Sequence, residues 1–105
     1  MDPLEEKIRQ RVSSDPSWAS RAILALYDRQ TREEQLEQNS VHRNGRGFTK
    51  PDAELLSSFA QWILSDHKLT HNQLIWAYRR LPKYAHQLYL IAKEKEDERR
   101  NQEIA

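Results

Sequence analysis

The chain contains no cysteine, only two glycines, four prolines and a single methionine in 105 residues. Without cysteine, disulfides, thiolate metal centres and thiol nucleophiles are excluded at once. Both glycines fall in one short stretch, Asn44-Gly45-Arg46-Gly47, so turns through positive φ are concentrated there. No apolar run approaches the roughly 20 residues that a bilayer-spanning helix needs. A surplus of one charge is missing too, since 17 basic and 16 acidic residues leave a net +1. That total does not support nonspecific adhesion to nucleic acid, so any binding face must come from how the charges are distributed. The start, Met1-Asp2-Pro3-Leu4-Glu5-Glu6, is acidic, unlike a secretory or mitochondrial leader. A cytoplasmic protein with no membrane partner is expected.

What the chain has is charge, at 31% of residues, and nine aromatic side chains: three Trp, four Tyr and two Phe. The mean hydropathy of −0.98 is polar for a globular chain. Large aromatic areas offset this and permit one modest core. The pattern predicts an all-α fold, a small bundle of four to five short helices with one long Gly-containing loop. Asp2-Pro3 and Asp15-Pro16 are both helix starts, with a capping carboxylate and proline in the first turn. Leu4, Ile8 and Val12 form an apolar stripe on the first helix. Ala22, Leu26, Ile23 and Tyr27 crowd the second. Thr31-Arg32-Glu33-Glu34 fits a capping box, which predicts a fresh helical turn to about residue 38.

Residues 39–50 lose the helical pattern. Asn44, Gly45 and Gly47 would shape a loop there, with Phe48 as its anchor. A third helix opens at Thr49 and Pro51, and its face of Leu56, Phe59, Ala60 and Ile63 is widened by Leu55 and Trp62, predicting burial on more than one side. Leu69-Thr70-His71-Asn72-Gln73-Leu74 combines a capping box with a hydrophobic staple, so a helix over 71–80 follows. Pro82 predicts a break or kink before a last helix over 82–98. Residues 93–105 have no apolar face and are expected to be exposed or fraying. In domain terms, 1–40 is a helical lead-in packing on the core, 41–92 the core module and 93–105 a charged end.

No constellation of residues in the sequence predicts an enzyme, a metal site or a cofactor. His67 and His71 are four apart but lie on opposite sides of the Thr70 cap, and no second ligand pair has a characteristic spacing. Gly45-Arg46-Gly47 lacks the rest of a phosphate-binding loop. Asp52 and Glu54 open a helix, where the dipole accounts for carboxylates without catalysis. The informative cluster is basic and aromatic. Arg43, Arg46 and Lys50 flank the glycines, while Arg79, Arg80 and Lys83 surround Pro82. Such arginines next to a Gly loop suit a phosphate backbone. Trp76, Tyr78 and Tyr84 are candidate stacking faces for unpaired bases.

The stretches NGRGFTKPDAELLSSFAQWIL and LTHNQLIWAYRRLPKYAHQL resemble a short helical module of bacteriophage and mobile-element proteins, found alone or appended to DNA-processing proteins such as helicases. The pattern lies in Asn44, Gly45, Gly47, Phe48, Asp52, Ala53, Ser58, Leu69, Thr70, Gln73, Arg80, Leu81, Lys83, Tyr84 and Gln87. It covers about half the chain, and the first 40 residues match only loosely. The resemblance implies proximity to DNA or RNA machinery and carries over no catalytic residue.

The function expected is therefore a nucleic-acid-binding accessory module, with DNA or RNA as partner, single-stranded or duplex, and a larger nucleoprotein complex as a further candidate partner. Arg43, Arg46, Lys50, Arg79, Arg80 and Lys83 would contact phosphates, with Tyr84 and Gln87 beside them. The alternative is a protein-binding module: a small anti-CRISPR-like inhibitor of a host defence complex, or a subunit of a nucleoprotein assembly. In that case Glu5, Glu6, Glu33, Glu34 and Glu37 are the candidates to mimic nucleic acid.

Overall fold

A computed structural model of the chain describes residues 2–36 and 47–104, and all regular structure in them is helical. The order is α1 (Pro3–Val12), α2 (Pro16–Leu36), α3 (Lys50–Leu64), α4 (His71–Arg80), a 3-10 turn (Leu81–Tyr84) and α5 (Ala85–Ile104). The starts follow from local hydrogen bonding. Asp2 Oδ1 accepts from Leu4 N–H at 2.8 Å, and Asp15 Oδ1 from Ser17 N–H at 2.9 Å. At α4 the capping box is complete in both directions. Gln73 N–H donates to Thr70 Oγ1 at 3.2 Å, and Thr70 N–H donates to Gln73 Oε1 at 2.8 Å. Leu69 is buried beside this cap and Leu74 packs against the core, as the staple requires.

The helices pack around one core to which every element contributes. The side chains of Val12, Ile23, Leu26, Leu56 and Leu81 are fully buried at its centre. Each of the larger ones stabilises the fold by about 1.5–3 kcal/mol through the apolar area it removes from water. Helix α1 lies on α5 and the 3-10 turn, and α2 packs chiefly on α3. Polar contacts hold α1 in place as well. Tyr89 Oη donates to Asp2 at 3.1 Å, and His86 Nδ1 lies 2.6 Å from Glu5 Oε1. Arg29 of α2 pairs with Glu94 of α5.

The all-α class holds, but two local expectations are corrected. Helix α2 runs without a break through Thr31, whose hydroxyl donates to Tyr27 O at 2.8 Å instead of capping a new helix. Trp62 is 38% exposed, so α3 is not buried on that side. The charged end of α5 is largely exposed, as its missing apolar face implies, and the helix runs on to Ile104, with Glu96 bridging Lys93 and Arg100 at helical spacing. Pro82 sits in the 3-10 turn, which is the break its ring demands. Of the long loop, residues 37–46 lie outside the described residues, and with them Arg43, Asn44, Gly45 and Arg46. Among the described residues, no helix is long and apolar enough to cross a membrane.

Candidate functional site

The site is built where the chain entering α3 meets the junction of α4 and α5. Gly47 has φ +84°, a left-handed conformation that costs a residue with a side chain about 1–2 kcal/mol. Its Cα faces α2 so closely that a Cβ would lie 2.6 Å from Gln30 Cβ. The Gln87 amide, from α5, bonds to both backbone groups of the same residue. Its Oε1 accepts from Gly47 N–H at 2.5 Å and its Nε2 donates to Gly47 O at 3.2 Å. One residue on, Gln30 Oε1 accepts from Phe48 N–H at 3.2 Å. Phe48 is buried and meets Tyr84 edge to face, with ring centroids 6.2 Å apart.

Asp52 is the hub. It is only 4% exposed, although it lies in the first turn of α3. Tyr84 Oη donates to its Oδ2 at 2.6 Å, Lys83 Nζ reaches the same oxygen at 2.5 Å, and Arg80 Nε lies 3.4 Å from Oδ1. The Thr49 hydroxyl is 3.2 Å from Asp52 Oδ2 and 3.1 Å from Tyr84 Oη, so its single proton serves one of them at a time. Thr49 N–H donates to Tyr84 Oη at 3.0 Å. Burial alone would raise the Asp52 pKa. Hydrogen bonds from Lys83 and Tyr84, the Lys83 charge and Thr49 outweigh it and hold the carboxyl below its ordinary value. Burial, and then the bond to Asp52, push the Tyr84 phenol up, so it stays protonated and donating.

The structure thus gives Tyr84 and Gln87 internal work in place of the contact roles the sequence suggested. Tyr84 is 3% exposed, so its ring is no stacking face, and both ends of the Gln87 amide are engaged by Gly47. Arg80 and Lys83 hold Asp52 yet keep part of their surface in water. Lys50 and Arg79 are exposed and have no ion pair among the described residues. In the sequence Asp52 has a capping-box-like relation to Thr49, a place in the module pattern and a dipole-compensating role, but no mark of a buried hub. The signal for more was Thr49-x-x-Asp52 in combination with the cations of Arg79-Arg80-Leu81-Pro82-Lys83-Tyr84.

On the outer side of this clasp, Trp76, Arg79, Arg80 and Lys83 fall at i, i+3, i+4 and i+7 and so form one stripe along α4 and the turn. The Arg80 guanidinium lies over the Trp76 ring, 4.7 Å from its centroid, and its Nη1 donates to Trp76 O at 3.2 Å. Trp76 is 47% exposed. Residues 67–93 include Lys68, Arg79, Arg80, Lys83 and Lys93 and neither Asp nor Glu. The balanced total charge therefore conceals a one-signed segment. Elsewhere, an open apolar groove of about 520 Å³ lies between α1, α2 and α5, lined by Trp18, Ala22, Ala25, Leu88 and Ile91. Among the described residues no group of His, Asp and Glu is placed to hold a metal ion. Compared with family models, curated proteins and solved structures, the chain matches none.

Proposed function

We propose that this chain is a cytoplasmic nucleic-acid-binding accessory module that engages phosphates through Lys50, Arg79, Arg80 and Lys83. The observation that carries the reading is the basic stripe on α4 and the 3-10 turn, fixed from beneath by a buried carboxylate. Two cations share the single charge of Asp52, so the cluster stays positive while Arg80 and Lys83 lose conformational freedom. Cations positioned before binding pay less side-chain entropy on meeting a phosphate. In the sequence two more cations, Arg43 and Arg46, stand just ahead of Gly47.

Arg79 and Lys50 are the residues to change, because reversing Arg80 or Lys83 would also set a carboxylate against Asp52. In the wild type, fluorescence anisotropy with labelled oligonucleotides should show affinity falling steeply between roughly 50 and 200 mM salt. Lys50→Glu with Arg79→Glu should weaken binding to every sequence and reduce the salt slope by about 2, with an unchanged melting temperature. An affinity that is flat across that salt range would end the nucleic-acid reading. Function would then move to a protein partner, for which the groove beside Trp18 is the first place to look.

A further inference from the structure

Two tryptophans are exposed, and the structure accounts for one of them. The Trp62 indole N–H donates to Lys68 O at 2.9 Å, and the His67 ring stacks on it with centroids 4.2 Å apart. Trp62 thereby closes the turn after α3. Trp76 closes nothing: its indole N–H has no partner among the described residues, and 47% of its surface stays in water. Leaving so much indole exposed gives up apolar burial that a smaller or polar side chain would not forgo.

The ring is also backed by a cation. The Arg80 guanidinium covers one face and is itself fixed at three points: the Trp76 ring, the Trp76 carbonyl and the Asp52 carboxylate. A guanidinium locked in this way backs the indole as a flat support. Arg79 and Lys83 flank it at one and two helical turns, a span of about 10 Å from Trp76 to Lys83. A flat apolar ring with a cation behind it and cations on one side is complementary to a base and the phosphates that flank it.

Resting on the nucleic-acid reading above, we infer that the ligand is a single strand, with one unpaired base stacked on the open face of Trp76. A B-form duplex presents base edges in its grooves and hides the faces within its stack. Only an unpaired strand offers a face to the indole while its phosphates follow the cations. Sequence preference should be slight, because every base has a π face.

The test compares a short labelled oligothymidine with a labelled duplex of the same length, bound to the full chain at equal salt. The single strand should bind about tenfold more tightly, the effect of one base stacked on an aromatic ring. Trp76→Ala should weaken oligothymidine binding about tenfold and leave duplex affinity and the salt slope unchanged. Trp76→Phe should recover part of the loss, and oligothymidine should quench a share of the tryptophan fluorescence that Trp76→Phe lacks. Thermal melts by circular dichroism check that both variants fold. Equal binding of strand and duplex with no effect of Trp76→Ala overturns the single-strand inference and leaves the phosphate reading standing. Failure to bind either probe at about 50 mM salt overturns both.

Discussion

Gly47→Ala is expected to destabilise the protein by about 4 kcal/mol, measured as the shift in a urea unfolding curve. Two independent costs add. The backbone has φ +84°, which an L side chain tolerates at about 1–2 kcal/mol. The new methyl would also stand 2.6 Å from Gln30 Cβ, 3.0 Å from its Cα and 3.2 Å from its N. These atoms belong to the body of α2, not to the free end of a side chain, so relief requires a shift of backbone. Overpacking of this kind costs about 1–3 kcal/mol. Moving Gly47 also loosens both bonds to Gln87 and the Phe48 bond to Gln30. Gly47→Asn separates the two costs, since Asn accepts positive φ better than Ala but brings the same Cβ. If Asn is tolerated, or if Ala costs less than about 1 kcal/mol, the close approach does not govern the site.

Asp52→Asn should cost about 3 kcal/mol at pH 7, and the cost should shrink as the medium is acidified. The amide keeps the shape of the carboxylate but leaves Arg80 and Lys83 without a counter-charge. Lys83 is half in water, so its share is small; most of the loss comes from the buried side, where Tyr84 and Thr49 meet a weaker acceptor. The pH dependence follows from the direction of the Asp52 shift. Its folded pKa is depressed, so the ionised carboxylate stabilises the fold fully above the unfolded value of about 4. That contribution is lost as pH falls from there through the lower folded value. Urea curves of wild type and Asp52→Asn should therefore be well separated at pH 7 and draw together as pH is lowered from about 4 to the acidity that protonates the folded carboxyl. A difference that holds constant down to that acidity would show that the carboxylate charge contributes nothing.

The helices were legible because their boundaries are set by chemistry within four residues. Asp2-Pro3, Asp15-Pro16 and Thr70 with Gln73 each hold donor and acceptor in one short window, and all three start helices as read. Thr31 shows the limit of the same logic. A threonine hydroxyl three residues before a glutamate fits an N-cap, yet inside a helix it bonds equally well to the carbonyl four residues back. Nothing within the four-residue window decides between the two, and in the structure the helix is continuous. The charged end of α5 is exposed as its missing apolar face implies, and ion pairs between successive turns accompany its helix.

The site was half legible. The cations were found from their clustering, and their common face follows from their spacing on α4. Which of them are already engaged depends on Asp52, separated from Tyr84 by 32 positions, and no periodicity links the two. The Gln87 amide and the Gly47 backbone are 40 apart and equally invisible. Gln30 has no sequence mark at all. Its role exists only because α2 passes behind Gly47.

The clasp also bears on the order in which the molecule assembles. Gly47, Phe48 and Thr49 bond to partners 40, 18 and 35 residues away, so each contact waits for a loop to close. Helix α4, with its complete local cap and short-range staple, needs no such closure. The clasp should then form after the rate-limiting barrier, as a latch set on an already condensed bundle. Substitutions there would act on the escape from the native state: in a chevron plot Gly47→Ala should raise the unfolding limb and leave the refolding limb nearly in place. A slowed refolding limb would instead put the clasp in the folding nucleus. As a latch, it makes the lifetime of the basic face depend on contacts that contribute little to how fast the chain folds.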